Sequence, residues 1–283
     1  MTTKEINILI EEARSLKEIT QAFTQISSSK LKRIRSGAER NREFFKDLSG
    51  IYGLINIIAK RRKIPAPFKN GKTLSILLSS NERFYGKITS ELIEFFLIQV
   101  SKINCDKLVI GRSGVETIKS LNYALSYTPL ILKSDFPDSA EFLSLSKVVN
   151  NYSKVLVFHP QFQSVMTQVP IIADITQSEL DVHTRTGQSE ELISQINNFI
   201  IEPEVKIMVE FFDNQIKVIL LEATFLEAEL ARTASRLISM DSAQNEAEKY
   251  LSTQELLLLN AQRSIQNARI LETVAAMHKG GGN

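Results

Sequence analysis

The sequence predicts an α/β protein in which two long terminal helices pair as an antiparallel, left-handed coiled coil, with one α/β domain inserted between them. Residues 204–279 contain no glycine or proline, so a helix over this range would be unbroken. At 1.5 Å per residue such a helix would measure roughly 110 Å, too long for one compact domain to enclose. A second amphipathic stripe begins the chain, and short apolar runs alternate with helical segments between the two.

The first helix is predicted to begin near residue 3, because Thr2 and Glu5 have the spacing of a capping box. Apolar and small residues then recur at steps of three and four, as in a helix that faces a partner helix. This line consists of Ile6, Leu9, Ala13, Leu16, Thr20, Phe23, Ser27, Lys30 and Ile34. The pattern loosens near Gly50 and Gly53. An ordinary core helix would show the same stripe, but a second, longer striped helix at the other end favours pairing.

The middle of the chain has the pattern of a small three-layer, Rossmann-like α/β domain. Predicted strands are Leu74–Leu78, Lys107–Gly111, Pro129–Leu132 and Lys154–Phe158, with an edge strand over Met166–Ile175 that tolerates Pro170. We expect His159-Pro160 to end the fourth strand. Predicted helices are Ile88–Lys102, Ser113–Leu121, Ser139–Asn150 and Glu190–Phe199. The predicted domains are residues 1–64, 65–201 and 202–279, with a tail at 280–283.

The last helix is predicted to open at Pro203, which suits a first helical turn, and to close at Gly280-Gly281-Gly282. Its apolar line has a period near 3.5 residues, which predicts a left-handed supercoil with the first helix. The residues predicted for the seam are Leu16, Phe23, Leu237, Met240, Ala247 and Ile265.

Composition narrows the class of protein. The net charge is +2, and Cys105 is the single cysteine, which excludes an internal disulfide. No apolar run approaches the 18 to 20 residues of a membrane span, and the start lacks a signal-peptide pattern, so we expect a soluble, bacterial-type cytoplasmic protein. Basic residues cluster at 30–42 and 60–63, either as a solvated face or as a contact for an acidic surface. No DNA-binding motif accompanies them, and nucleic acid is not an expected partner.

The sequence predicts no catalytic residue, no metal and no cofactor. The Gly111–Gly114 turn lacks the third glycine and the lysine of a phosphate-binding loop, and a plain tight turn is the simpler interpretation. His159, His183 and His278 lie far apart and do not have metal-ligand spacing. Cys105 has no histidine at motif distance and is interpreted as a core thiol.

Three stretches resemble the gamma subunit of F-type ATP synthase. Residues 17–33 are similar to its signature I-T-K-A-M-x-x-V-A-x-x-K-L-R-R, with a phenylalanine at 23 in place of methionine. Residues 227–247 are similar to S-E-x-x-x-R-x-x-A-M-x-x-A-x-x-N-A, and 260–263 to N-x-x-R. The matching positions are Ile19, Thr20, Ala22, Lys30, Leu31, Arg33, Arg236, Met240, Asp241, Ala243, Asn260 and Arg263. Ser264, Asn267 and Ile270 depart from the polar pattern that follows in the family.

The resemblance implies a central rotor stalk that couples rotation inside an alpha3-beta3 ring to nucleotide state and to ion flow. Such a subunit is not catalytic by itself. The implied partners are the alpha and beta subunits, with the epsilon subunit and the membrane c-ring at the stalk foot, on the cytoplasmic side of a bacterial membrane. The implied ring contacts are Lys30, Arg33, Arg236, Asn260 and Arg263. The alternatives are a gamma-like shaft of a specialised paralogous rotary ATPase, a non-rotary coiled-coil scaffold and an α/β enzyme with helical arms.

Overall fold

The computed structural model describes residues 2–63, 71–121, 125–176 and 203–280. Two long helices bracket a run of strands and short helices, as the apolar periodicity predicts. The helices are α1 (Thr3–Arg61), α2 (Ile88–Val100), α3 (Arg112–Ser120), α4 (Ser139–Asn150) and α5 (Val205–Gly280). The strands are β1 (Thr73–Leu78), β2 (Asp106–Ile110), β3 (Thr128–Leu130), β4 (Lys154–Phe162) and β5 (Gln168–Asp174). The predicted helix Glu190–Phe199 and the predicted tail after Gly280 lie outside the described residues.

The five strands form one mixed sheet in the order β3-β2-β1-β4-β5. The first four are parallel, and β5 pairs antiparallel with β4 at the edge. The predicted α/β class and the predicted edge strand with Pro170 are therefore confirmed. The order corresponds to the first five strands of the doubly wound order 3-2-1-4-5-6, with β5 reversed in direction, and the progression of strands across the sheet reverses next to β1.

Both faces of the sheet are covered, which explains why β1 reads as an apolar run rather than an alternating one. On one face, α2 and α3 pack through Phe96, Leu92 and Ile118. On the other face, α4 and the long helix α5 pack together, with Leu221, Phe225 and Ala228 of α5 inside the core. Part of the C-terminal helix is thus a structural layer of the α/β domain.

Helix α1 begins with the predicted capping box: the Glu5 N–H donates to Thr2 Oγ1 (3.3 Å) and the Thr2 N–H to Glu5 Oε2 (2.9 Å). Although the apolar pattern loosens near Gly50 and Gly53, the helix does not break there, and α1 continues to Arg61. Each interior glycine costs a helix about 0.5–1 kcal/mol. Packing of the last turns offsets that cost, since Ile55 and Ala59 are buried against the start of α5.

Strand β4 does not end at His159-Pro160, contrary to expectation, but continues to Phe162. Its pairing with β1 ends at Phe158, so beyond that residue only β5 lies beside it. Pro160 stands opposite Pro170, where neither residue has an N–H to give. Proline is tolerated near the edge of a sheet, and this part of β4 lies beyond its pairing with β1, so the strand accommodates both prolines.

The chain forms two compact units, and each contains part of both long helices. Unit 1 consists of Met1–Ser28 with Arg236–Asn283, and unit 2 of Ser29–Ser235. The domain boundaries predicted at 64/65 and 201/202 fall outside the described residues and stay predictions.

Candidate partner-binding surface

Within unit 1 the two chain ends pair in opposite directions. Lys17 Nζ lies 2.7 Å from Glu248 Oε1, and Arg14 Nη2 lies 3.2 Å from Glu255 Oε1. A step forward along α1 is therefore a step backward along α5. These exposed ion pairs contribute at most about 1 kcal/mol each, and they mark the register more than they stabilise the pairing.

The buried seam of α1 follows a strict seven-residue step. Ile6, Ala13, Thr20 and Ser27 are all buried at this spacing, and Ile10 is buried in a second column four residues after Ile6. On α5 the same step runs through Met240, Ala247 and Gln254. The seam is rich in small and polar side chains, which let two helices approach closely but supply little apolar area.

Two residues predicted for the seam lie outside it. Leu16 is 51% exposed and Ile265 is 45% exposed. The prediction of Leu16 rests on a step of three after Ala13 and that of Ile265 on a step of four after Ala261, whereas α1 buries Ile10, four residues after Ile6. Of the other four predicted positions, Met240 and Ala247 are buried, and Phe23 and Leu237 are half-buried.

The five residues assigned to ring contact divide into three groups. Arg33, Asn260 and Arg263 are exposed. Lys30 is half-buried in an ion pair with Glu229, with Nζ 2.9 Å from Oε1. Arg236 is only 6% exposed, and its guanidinium lies over the Phe23 ring at 5.8 Å, so little of this side chain is accessible to a partner. Phe23, which stands where the family has a methionine, therefore packs against Arg236.

Unit 1 carries large apolar side chains on its outside. Ile8, Leu16, Ile19 and Ile26 are more than half exposed along α1. On α5, every described residue from 262 to 277 is exposed, including Ile270, Leu271, Val274 and Met277. Large apolar side chains exposed in this number are typical of a surface that a partner covers. This outer surface of unit 1, defined by those residues, is the candidate partner-binding surface.

The Gly111–Gly114 turn is closed to anions. The N–H groups of Arg112, Ser113 and Gly114 donate to Asn81 Oδ1 (2.9 Å), the Ser80 carbonyl (2.8 Å) and Ser79 Oγ (3.0 Å). A side chain at Gly114 would also meet Ser79 Oγ at 2.6 Å. The donors with which a helix N-terminus would hold a phosphate are therefore already used. Within the described ranges there is no group of three or more metal-ligating side chains.

Comparison with known proteins agrees with the geometry. A family model described as ATP synthase matches residues 2–275. The chain belongs to the ATP synthase gamma family. The gamma chain of Lachnoclostridium phytofermentans is 22% identical over 278 residues, covering 94% of each chain. That of Staphylococcus saprophyticus is 22% identical over 284 residues, covering 96% of each.

Solved structures show the same fold. The central stalk of the Tetrahymena thermophila mitochondrial ATP synthase superposes with a TM-score of 0.56 at 16% identity, over 80% of this chain and 99% of that one. The rotor of the Euglena gracilis mitochondrial enzyme superposes with a TM-score of 0.60 at 12% identity, over 93% and 99%. The gamma-subunit resemblance read from the sequence is confirmed. Among the helices described, none is long and apolar enough to cross a membrane.

Sequence reasoning missed the acidic partners on α5. Glu229, Glu248 and Glu255 each receive a basic side chain from α1. The seven-residue spacing of Glu248 and Glu255 was a usable signal, since it places both on one flank of the seam. It also missed the contacts of Asp135 and Arg232, which are made mostly with main-chain atoms of distant segments.

Proposed function

We propose that this gamma-family chain is the central rotor stalk of an F-type ATP synthase or ATPase, and that it couples rotation to nucleotide state and ion flow. The observation that carries the proposal is the antiparallel pairing of the two chain ends, with large apolar side chains on its outside. Such a surface suits a surrounding ring of subunits with an apolar inner surface, which would enclose the helix pair and still let it rotate. The subunit itself has no catalytic role in this proposal.

The proposed partners match the exposed apolar and the exposed polar side chains of the stalk. An alpha–beta ring would surround unit 1, with Asn260 and Arg263 of unit 1 and Arg33 of unit 2 supplying exposed polar contacts. Lys30 would contact the ring only in competition with Glu229, and Arg236 would act indirectly by orienting Phe23. The epsilon subunit and the c-ring would bind at the stalk foot, which makes the chain a peripheral component on the cytoplasmic side of a bacterial membrane.

Coupling requires that the stalk contact the ring subunits unequally. A pair of helices with unlike faces presents a different surface to each of three catalytic subunits. Each orientation of the stalk then favours one nucleotide state in each subunit, and a change of state biases the orientation in return. No covalent chemistry is needed from this chain.

Co-expression of the tagged chain with the alpha and beta subunits of the same cell, followed by native mass spectrometry, tests the proposal. One copy of the chain in a particle with six ring subunits is the expected result. Recovery of the chain alone, or in equal number with the ring subunits, would contradict a central stalk and favour the scaffold interpretation.

One observation favours a second candidate, a gamma-like shaft of a specialised paralogous rotary ATPase. Ile270 is exposed where the resemblance places a glutamate, and Ser264 and Asn267 also depart from the family's polar pattern. A ring built for this chain would then have an apolar contact at that level. Pull-down with each set of ring subunits that the cell encodes distinguishes the two candidates.

A further inference from the structure

The carboxyl edge of the sheet holds a crevice that the chain fills with its own groups. In open α/β folds, ligands bind outside the carboxyl ends of the strands, where the strand order reverses. Here that position is the end of β1, between β2 on one side and β4 on the other. The loop after β1 already caps helix α3 through Ser79, Ser80 and Asn81.

The Asp135 carboxylate takes the place of a bound anion. This side chain is 6% exposed, and its Oδ1 accepts hydrogen bonds from the N–H groups of Asn81 and Glu82. Its Oδ2 accepts the Tyr85 hydroxyl. Two successive backbone N–H groups that converge on one oxygen form the kind of concavity that binds free anions in other proteins.

Arg232 of α5 reaches into the same crevice and bonds only to main-chain oxygens. Arg232 is 2% exposed, and its guanidinium donates to the carbonyls of Leu78 (3.3 Å), Ser79 (3.2 Å) and Asp135 (3.5 Å). It also lies over the Tyr85 ring at 5.9 Å. One turn further along α5, Ser235 Oγ donates to the Tyr85 carbonyl at 2.7 Å.

We propose that this self-occupied crevice is a joint that fixes the rotational setting of α5 on the α/β domain, with Arg232 as its main positioning residue. The apolar contacts of Leu221 and Phe225 hold α5 against the sheet, but apolar contact is not directional. Hydrogen bonds are directional, and the planar fork of an arginine specifies an angle that a point charge does not. On the proposed function, this joint is where torque passes between the domain and the helix.

Hydrogen–deuterium exchange of the full chain tests the joint without reference to rotation. Arg232→Lys keeps the charge and loses the fork, and Arg112→Lys makes the same change at an exposed side chain that has no role in the crevice. We expect the amides of Asn81 and Glu82 to exchange on the order of tenfold faster in the first variant and at the wild-type rate in the second. Equal exchange in the two variants would overturn the proposal.

Ser235→Ala is a milder version of the same test, because it removes one hydrogen bond and no charge. It should speed exchange of the same amides by a smaller factor, and it replaces Arg232→Lys if that variant fails to fold. Protection at Asn81 and Glu82 that matches the wild type in Ser235→Ala and in every folded Arg232 variant would remove the evidence for a joint.

Carboxylate rescue tests the internal anion. Asp135→Ala removes the acceptor of the Asn81 and Glu82 N–H groups and one of the two acceptors of the Tyr85 hydroxyl. Sodium formate should then raise the melting temperature of this variant with a saturable dependence, relative to sodium chloride of equal ionic strength, and should leave the wild type unchanged. Equal responses of variant and wild type to formate would show that the crevice does not hold an anion.

The torque-bearing role rests on the proposed function and is tested in the assembled complex. Reconstituted in vesicles, the Arg232→Lys complex should transport about half as many protons per ATP hydrolysed as the Arg112→Lys complex, with the same subunit composition. An unchanged ratio would overturn the torque-bearing role. If wild-type particles do not contain one copy of this chain for six ring subunits, the proposed function is contradicted. The hydrogen-exchange result would still support the joint.

Discussion

His159 is a residue whose ionisation opposes folding. It is 3% exposed on β4, and its Nδ1 lies 3.2 Å from the Pro160 carbonyl oxygen. The pKa of His159 is lowered to about 4, chiefly by burial; the hydrogen bond to Pro160 opposes this shift, and the Arg232 charge adds a smaller lowering. In the unfolded chain a histidine titrates near 6.5. Between these values the unfolded state binds more protons, so stability falls as the pH falls.

We expect His159 to cost the folded chain roughly 3 kcal/mol when the pH is lowered from 7 to about 4. His159→Gln cannot take up this proton, so its free energy of unfolding should fall less over the same interval. Urea denaturation of both proteins at several pH values measures the difference. Parallel pH dependences for wild type and variant would contradict the assignment.

Two glycines give opposite predictions for the same substitution. At Gly114 an added Cβ would meet Ser79 Oγ at 2.6 Å and Ser79 Cβ at 2.9 Å, so Gly114→Ala should lower the free energy of unfolding by about 1–3 kcal/mol. At Gly37, inside α1, nothing lies within 4 Å, and Gly37→Ala should raise it by about 0.5–1 kcal/mol. Urea denaturation measures both, and a loss of stability at Gly37 as large as at Gly114 would refute the steric argument.

Single residues show where sequence reasoning stops. Arg232 and Asp135 are 97 positions apart, and the arginine bonds to carbonyl oxygens, which every residue possesses. No side-chain pattern can announce such a contact. Arg236 shows a related limit: its type matches a family signature, but only packing against Phe23 reveals that it is buried.

At the scale of the helix, the seam columns can be separated by a matched pair of substitutions. Ile10 is 4% exposed and Leu16, less than two turns away, is 51% exposed. Ile10→Ala should therefore destabilise unit 1 by about 2–4 kcal/mol, while Leu16→Ala should change stability by less than about 1 kcal/mol. Loss of helical circular dichroism on heating measures both.

The same two substitutions should affect binding to the ring in the opposite order, with the larger effect from Leu16→Ala. Leu16 belongs to the candidate partner-binding surface. Leu16→Ala should therefore lower the affinity of the chain for the ring by more than it lowers the free energy of unfolding of the isolated chain. If Leu16→Ala proved as destabilising as Ile10→Ala in the isolated chain, the seam would have to be redrawn through the predicted column.

The seam also explains a partial success. The seven-residue step was readable because Ile6, Ala13, Thr20 and Ile34 recur on it. The second column was not, because apolar residues stand on both sides of the step: Leu9 and Leu16 on one side, Ile10 and Leu31 on the other. Some apolar residues of α1 face the other helix and others face outward, so hydrophobicity alone does not distinguish the internal seam from the external surface.

At the scale of the whole chain, the fold class was predictable because α/β alternation and the long uninterrupted helix are local signals. The strand order β3-β2-β1-β4-β5 was not, since register and neighbour choice depend on contacts between distant segments. The role of α5 as a layer of the α/β domain was likewise hidden. Its residues Leu221, Phe225 and Ala228 continue the helical period without a break.

The exposed end of α5 separates the stability of the chain from the stability of its assembly. Residues 264–277 are all exposed, so a chain that ends at Arg263 should keep its melting temperature within about 1 °C. It should nevertheless leave the ring on the order of tenfold faster or more, because Ile270, Leu271, Val274 and Met277 lose their apolar contact.

The control for this truncation keeps the length of α5 and changes its surface. Leu271→Gln with Val274→Gln should reproduce part of the faster dissociation if apolar contact is the cause. Native mass spectrometry of purified particles, followed over time after dilution, measures the rate for each chain. A truncated chain that stayed in the ring as long as the wild type would show that the apolar end of α5 does not hold the stalk in the ring. The contact would then have to come from Ile8, Leu16, Ile19 and Ile26 of α1 alone.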